Sequence, residues 1–155
     1  MLYLLELMKN VIATSVLAIL FGACASKTTE KKEPSEEKLE IPENVKAVFA
    51  KQFPDVKNVT WEKEGKNYEA VFSHNVTETS MIITPNGNIV ETETEMDSST
   101  LPEAILVYFD TNYKGYKIAE ASKIIRNNGT INYEAEVNDK DFIFDSNGVL
   151  LEELN

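Results

Sequence analysis

Few residues of this chain have the types and spacing that catalysis requires. His74 is the only histidine among 155 residues, and Cys24 is the only cysteine. One imidazole cannot complete the usual zinc ligand sets unless carboxylates supply the other positions. The sequence contains no nucleophile elbow around a serine, no phosphate loop and no zinc-protease helix motif. We therefore predict that the protein is not an enzyme and that it holds neither a cofactor nor a metal.

Four oxygen-bearing side chains near the C-terminus suggest a calcium loop at first sight. They are Asp139, Asp141, Asp145 and Asn147. Their spacing is not that of an EF-hand, and Asn138-Asp139 and Ser146-Asn147-Gly148 are typical hairpin turns. The turn interpretation is therefore preferred to a metal site.

A row of three glutamates shares one face of a predicted strand. Glu91, Glu93 and Glu95 alternate along one predicted strand, so their carboxylates share a face at intervals of about 7 Å. Like charges in such a row need water, a cation or a basic partner. A solvated face is the simplest interpretation, and a binding surface is the functional one.

The overall charge excludes some classes of partner. The formal net charge is −11 at neutral pH. Phosphate backbones and anionic lipid surfaces attract lysine and arginine, so we predict no nucleic-acid binding and no electrostatic docking onto anionic lipid. The remaining interpretations are a soluble acidic surface, a basic protein partner or divalent cations.

The N-terminus is typical of a bacterial lipoprotein. The apolar run Val11 to Phe21 leads into Phe21-Gly22-Ala23-Cys24, where small residues precede the lone cysteine. The run is too short to span a bilayer comfortably. We predict a signal peptide over residues 1–23, with Met8 as an alternative start to Met1, and a lipid on Cys24 that anchors the protein in the cell envelope. The outer membrane, in its periplasmic or surface-facing leaflet, is the expected location. The alternative is an ordinary secretory peptide with an incidental cysteine.

Residues 24–40 have the composition of a tether. Lysine, glutamate, serine, threonine and proline dominate the stretch, and Leu39 is its one large apolar residue. Such a segment buries too little apolar surface to order itself, so we expect it to hold the following domain away from the membrane.

The rest of the chain contains one structural unit twice, over residues 41–97 and 98–155. Ile41-Pro42-Glu43 opens the first unit, and Leu101-Pro102-Glu103 opens the second. Apolar residues follow each opening at helical spacing, and the two sets are shifted by sixty residues. They are Val45, Val48, Phe49 and Phe53 in the first unit, and Ile105, Tyr108, Phe109 and Tyr113 in the second.

Four strands are predicted after each helix. The first unit has Val59 to Glu62, Tyr68 to Ser73, Ser80 to Thr84 and Ile89 to Glu95. The second has Lys117 to Ile125, Ile131 to Val137, Phe142 to Phe144 and Val149 to Leu154. Asn-Gly pairs are strong hairpin signals, and they precede the last strand of each unit. The predicted fold is therefore α+β, a tandem repeat of α-β-β-β-β units in which helices cover one face of an antiparallel sheet.

Several of these features together resemble a known family. They are Phe53-Pro54 followed by Trp61-Glu62, the tetrapeptides Asn67-Tyr68-Glu69-Ala70 and Asn132-Tyr133-Glu134-Ala135, and the Asn-Gly hairpins. In these features the chain resembles the PepSY-like, β-lactamase-inhibitor-like family, common as small lipoproteins of Bacteroidetes-type bacteria. The second unit departs from the pattern, since Ala121 stands near the position of Trp61 and Lys114 replaces Pro54. The resemblance implies a tandem α+β fold like that of secreted β-lactamase inhibitors, and it implies no established activity.

These observations lead to one preferred function and one alternative. If the face of Tyr68 and Phe72 meets the helices, Glu69, Val71, Glu134 and Glu136 lie on the opposite, open face. The pattern is compatible with either face for Trp61. Together with Trp61, these four are the predicted partner-binding residues. We predict a non-catalytic envelope lipoprotein that binds an envelope protein through this acidic face, and inhibition of a secreted or periplasmic enzyme is one form of that function. The alternative is an acidic module that binds cations or a small ligand.

Overall fold

The structure, a computed structural model, describes residues 39–154. Two α-helices and eight strands follow one another in an order that repeats once. They are α1 (Glu43–Gln52), β1 (Thr60–Glu64), β2 (Asn67–His74), β3 (Thr77–Ile83), β4 (Ile89–Glu95), α2 (Glu103–Asn112), β5 (Glu120–Arg126), β6 (Ile131–Val137), β7 (Lys140–Asp145) and β8 (Leu150–Leu154). A short 3₁₀ helix, Ser98–Thr100, joins the two halves. The predicted α-β-β-β-β repeat is confirmed.

All eight strands form one antiparallel sheet in the order of the chain, β1 to β8. Each strand pairs with the next, and the two repeats are joined where β4 pairs with β5, for example Glu93 opposite Ile124. The repeats therefore share a continuous sheet. Strands β1 and β8 form its two edges.

The helices begin and end in the same way in both repeats. Pro42 and Pro102 stand immediately before the first helical residue, where the missing N–H costs no hydrogen bond. Glu43 and Glu103 follow, where the helix dipole favours a negative charge. At the other end, the N–H of Phe53 donates to the carbonyl of Phe49. The predicted helical stripe is confirmed because Val45, Phe49, Ile105 and Phe109 are all buried.

In the first repeat, α1 packs on β1 to β4 through aromatic rings. The ring centroids of Phe49 and Phe72 lie 5.0 Å apart, and those of Phe49 and Trp61 lie 5.5 Å apart in an edge-on arrangement. Ala70, Met81 and Ile83 complete this core from the sheet. Such edge-to-face pairs add about 0.5–1.5 kcal/mol each beyond burial.

The second repeat builds the same core with a different distribution of volume. Trp61 lies opposite Ala70, and the equivalent Ala121 lies opposite Ala135, so the two positions correspond in register. The volume of Trp61 is replaced in two places, since Phe142 and Phe144 of β7 stand where β3 has Met81 and Ile83, and Tyr108 of α2 stands where α1 has Val48. Its ring lies 5.2 Å from that of Phe144, beside Phe109 and Phe142.

Two hairpin turns pack directly against the helices. At Gly148 a Cβ atom would come within 2.6 Å of the Ala104 Cβ of α2, so only glycine fits there. The first repeat uses the same arrangement, in which the side-chain amide of Asn44 donates to the Pro85 carbonyl at 2.8 Å. The hairpins between β3 and β4 and between β7 and β8 therefore hold the helices in place.

Several predicted strand boundaries are wrong. Strand β3 begins at Thr77 rather than at Ser80, and β7 spans Lys140–Asp145 rather than only its three central residues. Tight two-residue turns at Asn75-Val76 and Asn138-Asp139, all with positive φ, keep the strands paired up to the turn. Strand β5 begins at Glu120 rather than at Lys117.

The predicted signal peptide, the lipidation site Cys24 and most of the tether, residues 24–38, lie outside the described residues. Within residues 39–154, neither helix has the length and apolar character that crossing a bilayer requires.

Candidate functional site

The sheet face opposite the two helices is the candidate site, and we call it the acidic face. Side chains alternate between the two faces of a strand, so the pairing register assigns each residue to one of them. The acidic residues of this face come from every strand of the sheet. They are Glu62, Glu64, Glu69, Glu78, Glu91, Glu93, Glu95, Glu120, Glu134, Glu136, Asp141, Asp145 and Glu152.

One cation stands among the strand residues that the register places on the acidic face. Arg126 of β5 lies directly opposite Glu91 of β4, and its guanidinium forms an ion pair with that carboxylate. Glu91 is buried, whereas Arg126 is partly exposed. Burial raises the pKa of Glu91, and the arginine opposes that rise. A buried carboxylate on this face is thus stabilised by a cross-strand cation.

Glu69 of β2 has a different environment from Glu91. On the β1 side, the residue directly opposite Glu69 is another carboxylate, Glu62. Glu69 is only 4% exposed, and its Oε1 has no hydrogen-bond partner among the described residues. Desolvation raises the pKa of Glu69 to about 7, although a hydrogen bond from Ser80 opposes the rise. The surrounding carboxylates, Glu62 foremost, raise it further.

Glu134 of β6 occupies the corresponding place in the second repeat. Desolvation, followed by repulsion from Glu93, Asp141 and further carboxylates, raises the pKa of Glu134 to about 8. Burial also raises the pKa of Glu93, although a hydrogen bond from Ser122 opposes that rise. The centre of the acidic face is therefore a group of carboxylates whose full ionisation is unfavourable.

Four of the five predicted partner-binding residues share the acidic face. Glu69 and Val71 lie on β2, and Glu134 and Glu136 lie on β6. Trp61 lies apart from them, on the helix-covered face, where it packs against Phe49. Alternation along β1 explains this, because Trp61 is opposite Ala70, whose side chain faces the helix.

The acidic face is less open than the sequence pattern suggested. Glu69 is 4% exposed and Glu136 is 6% exposed, whereas Val71 and Glu134 are half-buried. Both buried glutamates lie on interior strands, so side chains from the strand on each side surround them. The exposed acidic residues of the face, such as Glu95 and Glu152, lie nearer the strand ends and the sheet edge.

The other polar groups considered in the sequence have structural roles. Asp145 accepts hydrogen bonds from the backbone N–H groups of Asn147 and Val149, which lowers the pKa of Asp145 and closes the last hairpin turn. The ring of His74 lies edge-on to that of Phe53, with centroids 5.1 Å apart. Within residues 39–154, no three histidine, cysteine, aspartate or glutamate side chains form a group that could hold a metal ion.

The sequence pattern alone did not reveal the apolar part of the acidic face. Ile82, Ile124 and Ile143 occupy this face on β3, β5 and β7, and all three are buried. The same cross-strand pair occurs in each repeat, Glu69 opposite Ile82 and Glu134 opposite Ile143. Met81-Ile82-Ile83 and Phe142-Ile143-Phe144 are apolar at every position. Because polar and apolar residues do not alternate there, the pattern could not indicate which side chains face the helices.

Several solved structures share this fold. A protein from Bacteroides eggerthii, described as a "putative periplasmic" protein, is 18% identical with a TM-score of 0.69, over 75% of this chain and 89% of that one. A DUF2874 family protein from Bacteroides uniformis is 19% identical with a TM-score of 0.69, over 75% and 90%. A BLIP-like protein from Bacteroides fragilis is 24% identical with a TM-score of 0.62, over 76% and 87%.

One protein family matches most of the chain. The family described as "Putative beta-lactamase-inhibitor-like, PepSY-like" matches twice, over residues 26–91 and 68–152. No curated protein matches the chain. The two family matches together span most of the chain and both structural repeats. The chain therefore belongs to the PepSY-like, β-lactamase-inhibitor-like family.

Proposed function

We propose that this protein is a non-catalytic lipoprotein of the cell envelope that binds a protein partner through its acidic face. The observation that carries the proposal is the charge of that face, where carboxylates from all eight strands accompany the single arginine Arg126. Its family is described as inhibitor-like rather than as a family of enzymes.

The raised pKa values favour a cationic partner. Ionised carboxylates on neighbouring strands repel one another, and desolvation adds to that cost at Glu69 and Glu134. A partner that supplies lysine or arginine would relieve the repulsion, and it would be attracted from a distance by the whole face. Ile82, Ile124 and Ile143 lie between these carboxylates and provide apolar positions on the same face.

Inhibition of a secreted or periplasmic enzyme is the specific form of this proposal. It is supported by the family's description and by the fold shared with a BLIP-like protein. Secreted and periplasmic enzymes are therefore the first partners to test.

The cellular location is part of the proposal. One structural relative is described as periplasmic, and Cys24 follows a signal-like segment in this chain. We expect labelled fatty acid to incorporate at Cys24 and the protein to fractionate with membranes. The variant Cys24→Ala should lose both the label and membrane association, and a wild-type protein that stays soluble and unlabelled would contradict the proposed anchor.

Cation or small-ligand binding remains the alternative prediction from the sequence. Stabilisation of the purified chain by calcium or magnesium in a thermal melt would support it, because a ligand that binds only the folded state raises the melting temperature.

The test of partner binding uses charge reversal at exposed positions of the acidic face. The tagged chain and the variant Glu95→Lys/Glu152→Lys are used to capture proteins from the cell envelope. A control, Asp55→Lys/Asp110→Lys, changes the net charge equally outside the sheet, and the residues of both pairs are exposed. We expect the control to capture as much partner as the wild type does. The face variant should capture less partner, by a factor of about five or more. Equal recovery by both variants would refute the proposed surface.

A further inference from the structure

The two edge strands of the sheet differ in regularity. Strand β8 has a register shift opposite Ile143 and Phe144, and an ion pair between Lys140 and Glu153 joins it to β7. Strand β1 pairs with β2 without interruption over Thr60–Glu64, and it contains no proline. Bulges and prolines are common devices that prevent an edge strand from pairing with another chain. Of the two edges, β1 is therefore the one suited to accept a further strand.

The junction between β4 and β5 shows how a strand pairs with the counterpart of β1. Trp61 and Ala121 hold equivalent register positions, so β1 corresponds to β5. The N–H of Met96, at the end of β4, donates to the Ala121 carbonyl at 2.9 Å, so the backbone of Ala121 faces β4. Along an antiparallel strand, successive residues direct their backbone groups to opposite neighbours. The backbone groups of Trp61 and Lys63 therefore point to the outer edge of the sheet.

This outer edge is accessible. Among residues 39–154, no strand pairs with the outer side of β1. Lys63 is exposed and Trp61 is partly exposed. A lysine on an edge strand can block pairing, but the ammonium group of Lys63 lies 3.7 Å from the centroid of the Tyr68 ring. Its charge is thus directed back over the sheet.

We infer that the partner protein adds an extended segment to the outer edge of β1, antiparallel to it, in the place that β4 takes beside β5. This inference rests on the proposed function and names where and how the partner is held. In strand addition of this kind, backbone hydrogen bonds supply affinity and alternate side chains supply specificity. The segment would bond to the backbone of Trp61 and Lys63, and it would extend the acidic face by one strand.

The side chains of β1 define the chemistry of the incoming segment. In the second repeat, β5 presents the neutral residues Ser122 and Ile124 to β4 on the acidic face. The corresponding residues of β1 are Glu62 and Glu64, so the segment needs lysine or arginine at the two positions opposite them. On the helix-covered side the segment meets Trp61, which suits an apolar side chain. The expected segment therefore alternates basic and apolar residues.

The first experiment measures exchange of backbone amide protons in the full chain by NMR. The probe is the acetylated and amidated hexapeptide Thr-Lys-Val-Lys-Val-Thr. Without peptide, the outward N–H groups of Trp61 and Lys63 should exchange faster than that of Glu62, which points towards β2. Peptide at about ten times its dissociation constant should slow exchange of the two outward groups about tenfold. Exchange in the other edge strand, β8, should not change.

Two control peptides separate backbone pairing from charge. The first has N-methyl groups on both valines, which removes the N–H groups that would donate to the carbonyls of Trp61 and Lys63. The second has glutamate in place of both lysines. We expect each control to bind at least about tenfold more weakly than the probe.

A pair of variants tests the same edge from the side of the protein. Lys63→Pro removes the outward N–H at position 63, where a proline costs no bond to β2. Lys63→Ala removes the same side chain and keeps that N–H. We expect Lys63→Pro to weaken binding of the probe about tenfold or more, and Lys63→Ala to change it less than about twofold. Thermal melts confirm that both variants are folded, and the peptide controls give an independent test with the unchanged chain.

Several results would overturn the inference. They are equal binding of the N-methylated peptide, equal binding of the glutamate peptide, or equal binding of the probe by Lys63→Pro and Lys63→Ala. Slow exchange at Trp61 and Lys63 without peptide would also overturn it. Slow exchange in dilute protein would mean that a segment outside residues 39–154 occupies the edge, and slowing that grows with protein concentration would mean that a second copy does.

The proposed function fails separately from this inference. The variant Glu95→Lys/Glu152→Lys tests the acidic face without changing β1. If that variant loses the captured partner while Lys63→Pro keeps it, the surface is right and strand addition is wrong. If neither variant loses the partner, both proposals are wrong.

Discussion

Val76 adopts a backbone conformation that β-branched residues rarely use. Its φ is +63°, its side chain is fully exposed, and it forms the turn between β2 and β3 with Asn75. The equivalent turn in the second repeat is Asn138-Asp139, where the short polar side chain of Asp139 tolerates the same φ better. Glycine, asparagine and aspartate are the residues typical of such a turn. Because Val76 is none of these, the sequence pattern does not indicate the hairpin, and the predicted β3 is too short.

We predict that Val76→Gly stabilises the protein. The change removes a left-handed β-branched residue and creates the favoured Asn-Gly turn, with an expected gain of about 1 kcal/mol. Urea denaturation measures the gain. Asp139→Gly is the matched control and should give a smaller gain. A loss of stability at position 76 would mean that the valine makes a contact that compensates for its strain.

Residue alternation placed Glu69, Val71, Glu134 and Glu136 on one face of the sheet, and it left the face of Trp61 open. Glu69 and Glu134 were placed together because they alternate with apolar residues in two identical tetrapeptides. Trp61 stands in a short, charged strand where either face was compatible with the pattern. Its face follows from the register with Ala70, which the turn at Gly65-Lys66 determines. Burial of Glu69 could not be predicted, because it depends on side chains from several strands.

At the scale of elements, each helix is held by a hairpin as well as by its apolar stripe. The sequence predicted the helix starts from proline and glutamate, and it predicted the hairpins from Asn-Gly. It did not show that the turns contact the helices, since that contact joins residues about forty apart, such as Asn44 and Pro85. Glycine is therefore required at position 148 for two reasons. Its φ is +81°, and a Cβ atom there would clash with Ala104.

We predict that Gly148→Ala is markedly more destabilising than Gly129→Ala. Both glycines have φ of +81°, but a Cβ at Gly129 would meet nothing within 4 Å. Gly129→Ala should cost about 1 kcal/mol for the backbone alone. Gly148→Ala adds the clash with α2, for a further loss of about 1–3 kcal/mol. Chemical denaturation of both variants gives the difference, and equal losses would show that the turn does not press on the helix.

At the scale of the whole molecule, the acidic face makes stability depend on pH. The pKa of Glu69 is raised to about 7 and that of Glu134 to about 8, both from the ordinary glutamate value of 4.5. A raised pKa in the folded state means that the folded protein holds its protons more tightly than the unfolded chain. These groups therefore contribute stability below about pH 5, and that contribution is lost as the pH rises through 7 and 8.

We predict that the free energy of unfolding falls by about 2–5 kcal/mol between pH 5.5 and pH 9, where the upper value corresponds to the full shifts of Glu69 and Glu134 and the lower value allows for screening by solvent. Denaturation with urea across this range measures the change. The variant Glu69→Gln/Glu134→Gln should flatten the curve and be more stable than the wild type at pH 9. A wild-type curve that is flat, or that rises with pH in this window, would contradict the origin of the raised pKa values.

The central claim is that the acidic face is the surface that meets the partner. The most direct measurement is the association rate constant of the captured partner, determined at ionic strengths from about 0.05 to 0.5 M. We predict a rate constant that falls about tenfold over this range for the wild type and for Asp55→Lys/Asp110→Lys. For Glu95→Lys/Glu152→Lys it should be lower at low salt and depend less on salt. A rate constant that does not depend on salt, or an identical dependence in the face variant, would contradict the claim.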